Sequence, residues 1–287
     1  MSFDAFAEKS APLLSSLFDE RLPKEALKSF VSLVRSLSAP ASDVPAPPVL
    51  QVHLLPPGSW ALQFQFTLAK PVITKDEPVL LDTDNPIRRE RATRIPCVAA
   101  SSWKGALRGS LRAMVAEDPA KATDSEIEAM LGQEPREDED PDQDHDEDGG
   151  ATRGRLQFFI SHFGGTGQYV TQSLSRKTKT GSVPVSYETI PERQSAWFTL
   201  LYCTYADGCE NPEQALIDSR RHLEITAEAV AVMLLETGFG AKKTSGFGIA
   251  EDPVAGTLTL RDAPAATFKS LRELDRCHFT EANVAGY

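Results

Sequence analysis

Between Ile95 and Arg112 the chain sets a pair of adjacent serines, a lysine and two arginines where a helix begins, in Ile95-Pro-Cys-Val-Ala-Ala-Ser-Ser-Trp-Lys-Gly-Ala-Leu-Arg108 and on to Arg112. Ser101 and Ser102 are suited to cap a helix whose first N–H groups and positive dipole end favour an anion. Lys104, Arg108 and Arg112 recur every four residues and share one stripe, whereas Trp103, Ala106, Leu107, Leu111 and Met114 form an apolar face. This is the chemistry of a phosphate cradle. The same pattern also fits an ordinary amphipathic helix with a solvated basic face.

A second stretch favours the cradle. Gly238-Phe-Gly-Ala-Lys-Lys-Thr-Ser-Gly-Phe-Gly248 follows a segment rich in Ala, Val, Met and Leu. Gly238 or Gly240 can end a helix in the left-handed conformation, and the later glycines allow backbone to approach a ligand, with Lys242 and Lys243 supplying charge. The glycine spacing is neither that of a nucleotide-triphosphate loop nor that of a dinucleotide fingerprint.

The two stretches together resemble the RAMP superfamily, the ferredoxin-like RNA-binding subunits of type III CRISPR effector complexes, which carry a Ser-Ser-x-Lys-Gly-x-x-Arg helix start and a C-terminal glycine-rich loop. Upstream, Asp84-Asn-Pro-Ile-Arg-Arg-Glu90 is similar to the Asp-x-Pro-Val/Ile loop of the Csm and Cmr backbone subunits, whose aspartate cleaves target RNA. Gly154-Arg-Leu-Gln-Phe-Phe159 resembles the family's next strand, and Ser175-Arg-Lys-Thr-Lys-Thr-Gly181 through Tyr187-Glu-Thr-Ile-Pro191 resembles its protruding thumb.

The resemblance implies Asp84 as the catalytic residue and as the ligand of a divalent cation, Mg2+, required for cleavage and not for folding. It implies RNA contacts from Ser101, Ser102, Lys104, Gly105, Arg108 and Arg112, from Arg176, Lys177 and Lys179 in the thumb, and from Gly240, Lys242, Lys243 and Gly246. The implied partners are a CRISPR guide RNA, target single-stranded RNA, neighbouring RAMP subunits and the large effector subunit. Ala100 stands where the family usually has glycine, and Cys97 where a proline or glycine-rich turn is common. The Gly-Phe-Gly-Ala-Lys-Lys-Thr-Ser form of the loop also resembles the end-cap Cmr subunit, which binds RNA without a cleaving aspartate. Without the resemblance, Asp84 is equally an Asx-turn residue ahead of Pro86, with Asp82 as a competing acid.

Composition fits a soluble, cytoplasmic chain. Its 287 residues are 41% hydrophobic, enough for a sizeable core, and no apolar run has the length of a membrane span. Cys97, Cys203, Cys209 and Cys277 are scattered without a Cys-x-x-Cys pair, so neither a zinc site nor a disulfide framework is expected. The net charge of −11 opposes RNA binding only in appearance. Glu134 through Asp148 carries ten acidic residues and one arginine, which leaves about −2 for the rest of the chain. Such a run is expected as a solvated insertion; the other readings are a divalent-metal site around His145 and a nucleic-acid mimic that clears the RNA groove of nonspecific ligands.

The elements that must position these residues follow from periodicity. Residues 1–48 give a helical extension and a proline-rich linker, with Leu27, Phe30, Val31 and Val34 on one helical face. Trp60 to Leu68 alternates as a first strand, Ser101 to Glu117 is a helix, strands follow at 155–163 and 196–205, a second helix runs from Thr226 to Glu236, and Gly248 to Leu260 offers the closing strand. That order predicts an α+β, ferredoxin-like (RRM-like) RAMP core at 49–265, with an acidic insertion at 132–150, a thumb hairpin region at 164–192 and a tail at 266–287. Phe64, Phe158 and Phe159 suit base stacking but are expected in the core, and His53 and His162 stay outside the site. The expected function is a guide-RNA-binding backbone subunit acting as an endoribonuclease in antiviral defense. The alternatives are a noncatalytic end cap or an unrelated acidic metal-binding protein.

Overall fold

A computed structural model describes residues 44–74, 86–133, 153–171, 185–204, 212–252 and 254–276. Residues 1–43 of the N-terminal extension, Asp84, the acidic run and the thumb cluster Arg176, Lys177 and Lys179 lie outside the described residues.

In β1, Trp60–Thr67, the residues Trp60, Leu62, Phe64 and Phe66 are buried, while Gln63, Gln65 and Thr67 are partly buried or exposed. That is the two-residue period of a strand with one face in a core. β7, Ser195–Tyr202, pairs with it antiparallel, opposing Phe64 to Phe198 and Leu62 to Leu200, so the same apolar face continues across the pair. β3 (Leu156–Phe158), β8 (Gly256–Leu260) and β9 (Ala266–Phe268) complete an antiparallel sheet of order β3-β7-β1-β8-β9. Two short pairs stand apart: β2 (Cys97–Val98) with β4 (Ser161–His162), and β5 (Gly167–Thr171) with β6 (Val185–Thr189).

The long helices α1 (Ala100–Glu117) and α3 (Pro212–Val232), with the short α2 (Asp124–Leu131), share one core with that sheet face. α1 buries Trp103, Leu107, Leu111 and Met114, the apolar face its sequence defines. Trp103 stands edge-on to Phe66 at 5.9 Å and to Phe198 at 5.1 Å, and its indole N–H donates to Ser161 Oγ at 2.9 Å. Ser161 passes its own proton to the Trp197 carbonyl at 2.6 Å. A smaller cluster, Val52, Ala61 and Leu201 with Leu50, Leu55 and Phe159, covers part of the opposite sheet face. Cys97 and Cys203 are buried and not cross-linked. No described helix is long and apolar enough to cross a membrane.

Four expectations are corrected. The strand expected at 155–163 is two: β3 ends at Phe158, and β4 leaves the main sheet to pair with β2 once Ser161 has turned its hydroxyl into the core. α3 starts at Pro212, fourteen residues before the expected Thr226, because Pro suits a first helical position and the polar stretch gains Arg221–Glu126 and Gln214–Asp218 contacts. Of the expected closing strand, only Gly256–Leu260 is extended in the sheet. Residues 266–276, placed in the tail by sequence, supply β9 and a 3-10 turn whose Leu271 and Leu274 are buried in the core.

At the far end of β7, Arg155 Nη1 donates to Tyr202 Oη at 3.2 Å, and Tyr202 Oη lies 2.8 Å from His222 Nδ1. Either atom can donate in this contact, and a neutral imidazole with Nδ1 bare accepts the tyrosine's proton. Burial first, and the charge of Arg155 second, hold His222 down to about 4. The unfolded chain therefore binds a proton at His222 between about pH 6.5 and 4 that the folded chain refuses, so this contribution to stability is lost as pH falls through that window. Urea unfolding from pH 7 to pH 4 is expected to show a loss on the order of 3 kcal/mol from this group. In His222→Gln, which cannot protonate, the slope in that window should flatten; an unchanged slope would remove His222 as its source.

Candidate nucleic-acid interface

α1 starts at Ala100 with Ala99 as its N-cap, and no side chain caps it. Ser101 and Ser102 lie inside the first turn and are exposed, which corrects their expected capping role. The first free N–H groups of the helix therefore open to the surface beside two hydroxyls, still a setting that favours an anion. Gly105 is also exposed, with no atom within 4 Å of where a Cβ would stand.

The basic stripe divides. Lys104 is partly buried and has no hydrogen-bond partner among the described residues; desolvation and then the Arg108 charge lower its pKa. Arg108 turns to α2, donating from Nη2 to the carbonyls of Leu131 at 3.3 Å and Gly132 at 2.8 Å. A cation there satisfies orphan carbonyls and complements the negative end of the helix. Arg112 is exposed and has a further interaction of its own. Arg108 thus has a structural role at the end of α2 through Nη2, beside the phosphate contact expected of it.

The glycine loop follows a π turn at Met233–Thr237 that continues α3. Thr237 Oγ1 meets Ser110 Oγ of α1 at 2.9 Å, and Phe239 lies 4.5 Å from Trp103. Lys243 Nζ lies 3.7 Å from where a Cβ on Gly109 would stand, between Arg108 and Arg112 in sequence. The two motifs, more than a hundred residues apart, therefore share one surface. Within the loop the glycines differ. A Cβ on Gly248 would fall 1.9 Å from the Phe239 carbonyl oxygen, and one on Gly240 would fall 2.6 Å from that of Ile73. Those glycines approach the protein's own backbone, which by itself accounts for the absence of a side chain at Gly240. Gly246, with φ +81° and open space around it, remains available to a ligand.

The β5–β6 hairpin, the base of the thumb-like region, rests on the same loop. Lys242, itself in the left-handed conformation, sets Nζ 3.7 Å from the Tyr187 ring centroid, and Tyr169 meets Phe247 edge-on at 5.0 Å. The next residue of β6, Glu188, faces the other way. Its Oε2 accepts from Ile87 N at 3.1 Å and from Arg89 Nη1 at 2.8 Å, and its Oε1 pairs with Arg89 Nη2. Arg88 N donates to Thr74 Oγ1 at 2.9 Å. The chain that leaves Asp84 is thereby fastened within five residues. Sequence reasoning missed Glu188 and Arg89; a lone acid in a thumb strand carries no pattern that marks its partner. Phe64 is fully buried and Phe158 and Phe159 pack in the two clusters, as the core expectation has it. Among the described residues no group of three His, Cys, Asp or Glu gathers to hold a metal ion.

A model of the RAMP superfamily matches residues 77–251 of the chain. No curated protein matches it by sequence. Among solved structures, a chain of the type III-B Cmr-beta complex bound to cognate target RNA is 15% identical, with a TM-score of 0.41 over 94% of this chain and 78% of that one. A chain of Cmr-beta in the apo state is 12% identical, with a TM-score of 0.45 over 74% of this chain and 98% of that one.

The split of the stripe is testable by stability alone. Arg108→Ala should cost about 1.5–3 kcal/mol in urea unfolding, the range for hydrogen bonds to a charged donor, whereas Lys104→Ala should stay within about 0.5 kcal/mol. Equal effects would show that the Arg108 bridge to α2 holds nothing together.

Proposed function

Because the chain belongs to the RAMP superfamily, whose model spans residues 77–251, we propose that it is a guide-RNA-binding backbone subunit of a type III CRISPR ribonucleoprotein that cleaves paired target RNA. The observation that carries the reading is the meeting of the Ser-Ser-Trp-Lys-Gly helix start with the glycine loop, where Lys243 lies against α1 beside Gly109. One surface then offers free helix N–H groups, two hydroxyls, Lys104, Lys243 and the open Gly246, the donors and charges a phosphodiester backbone takes. In this reading the β-α-β-β-α-β order of β1, α1, β3, β7, α3 and β8 is a ferredoxin-like core, and the β5–β6 hairpin is the base of the thumb. Its partners are the guide RNA, target RNA, neighbouring subunits and the large effector subunit, in the cytoplasm.

The proposed reaction uses the RNA's own 2'-hydroxyl. Asp84 takes its proton as the 2'-oxygen attacks the adjacent phosphorus; the P–O5' bond breaks, and the leaving oxygen takes a proton from water. The products are a 2',3'-cyclic phosphate and a 5'-hydroxyl. A divalent cation at Asp84 remains part of the proposal as a source of phosphate neutralisation; the described residues add no ligand cluster for it, and no step is routed through it. Glu188 and Arg89 support the reading by fastening the chain just after Asp84 to the hairpin. The second reading is the noncatalytic end cap, favoured by the Gly-Phe-Gly-Ala-Lys-Lys-Thr-Ser form of the loop. Family membership removes the reading of an unrelated fold.

In the assembled complex, Asp84→Asn should retain target binding and slow cleavage by about a hundredfold or more, the scale of a lost acid-base contribution. A single 2'-deoxy nucleotide at the cut position should block the same step. Wild-type rates in Asp84→Asn, measured by single-turnover cleavage, would transfer the chain to the end-cap reading.

A further inference from the structure

The segment Arg88-Arg-Glu-Arg-Ala-Thr-Arg94 is a tight hairpin built around one carboxylate. Glu90 accepts from Ala92 N at 3.1 Å and from both Thr93 N and Thr93 Oγ1 at 2.6 Å. Those donors hold its pKa down to about 2, so the acid is spent on the turn. Glu90 N and Ile95 O close the loop at 2.9 Å, Arg94 N returns to Glu90 O at 2.9 Å, and Arg94 itself is left-handed with φ 60°. Cys97 N donates to Arg88 O at 3.0 Å, and Arg89 bridges Pro96 across the hairpin.

The four arginines have two fates. Arg89 is turned inward, its side chain 8% exposed, onto Glu188. Arg88, Arg91 and Arg94 are exposed, and none makes an ion pair or side-chain hydrogen bond among the described residues. Other described arginines, Arg155, Arg221 and Arg261, each meet a carboxylate. In a chain of net charge −11, one braced turn thus presents three exposed arginines that meet no acid among the described residues. Their base leads through β2 straight into α1, whose first turn carries Ser101, Ser102 and Lys104. His162, paired with Cys97 across β2–β4, stands close enough to feel the Glu90 charge, while burial lowers its pKa and keeps the ring neutral near pH 7.

We infer that this hairpin is a second phosphate-binding element, in which Arg88, Arg91 and Arg94 grip the backbone of single-stranded RNA that also lies on the α1 surface. Guanidinium binds phosphate with two parallel N–H donors, and a fixed turn loses little freedom when it does so. Continuity with the cationic start of α1 selects a polyanion long enough to span both, which favours RNA over an acidic peptide. The inference rests on the RNA-binding reading above and adds a site to it.

The test measures binding of a fluorescent single-stranded RNA oligonucleotide to the purified full chain by anisotropy across a salt series. The variants are the triple Arg→Ala at positions 88, 91 and 94, the triple Arg→Lys, and Lys104→Ala. Thermal midpoints confirm that each folds. The Ala triple should reduce the slope of log affinity against log salt by about 2, from three lost contacts at about 0.7 each for a single strand. The Lys triple should keep most of the slope and lose affinity. A wild-type slope in the folded Ala triple, with Lys104→Ala reduced, overturns the hairpin site and leaves the RNA reading standing. A wild-type chain that binds no RNA overturns both. Wild-type binding to polyglutamate instead, lost in the Ala triple, assigns the hairpin to an acidic protein partner and overturns the inference.

Discussion

Trp103 is the contact on which the proposed interface depends. It is fully buried and touches one aromatic ring from each structure that must meet there: Phe66 of β1, Phe198 of β7 and Phe239 of the glycine loop. Aromatic pairs of this kind contribute roughly 0.5–1.5 kcal/mol each beyond their buried area. The indole N–H is the costly part, since an unpaired polar group in a core is expensive. Ser161 resolves it by accepting from Trp103 and donating to Trp197 O, and that same turn of the side chain is what ends β3 and starts β4. One residue thus fixes α1 against the sheet, aims its first turn at the surface, and seats the loop that carries Lys242 and Lys243.

The charges are distributed by task rather than by average. Arg89, Arg108, Arg155 and Arg221 are committed to carbonyls or carboxylates inside the fold. Lys104 is partly buried in the first turns of α1, Lys243 lies beside Gly109 further along it, and Arg88, Arg91 and Arg94 are exposed in the segment that precedes it. Phosphate affinity depends on local cations within about a Debye length, roughly 8 Å at physiological salt, so the overall −11 decides little.

How much was legible in the sequence follows from which patterns are local. The period of β1 and the apolar face of α1 stand in the chain as written, because each is set by neighbours two to four residues away. The meeting of α1 with the glycine loop was legible only as a family resemblance, since nothing local links Ser110 to Thr237. The early start of α3 was missed because its first turns are polar and are held by Glu126 from another helix. The structural contact of Arg108 was missed for a related reason: a stripe at spacing four reveals which residues share a side, not that the C-terminus of α2 will reach across to one of them. The glycines showed the same limit, as Gly240 and Gly248 are required by the protein's own carbonyls and only Gly246 of the three faces open space.

The β6 strand converts these separate contacts into one frame. Adjacent residues of a strand point to opposite faces, so Tyr187 and Glu188 reach opposite partners from one stretch of backbone. Tyr187 receives Lys242 of the glycine loop over its ring, and Glu188 receives Ile87 N and the fork of Arg89. The Glu188 side chain is 14% exposed, where removing one member of an ion pair costs far more than at the surface, so the connection is stiff. Arg89 Nε lies buried without a partner among the described residues, which shows that the arginine is placed for Glu188 and not for its own solvation. A displacement of the hairpin must therefore carry the 87–89 segment and the arginine turn with it, while the other face of the same strand holds the glycine loop in place. The glycine loop and the 87–89 segment are in this way referred to a single strand.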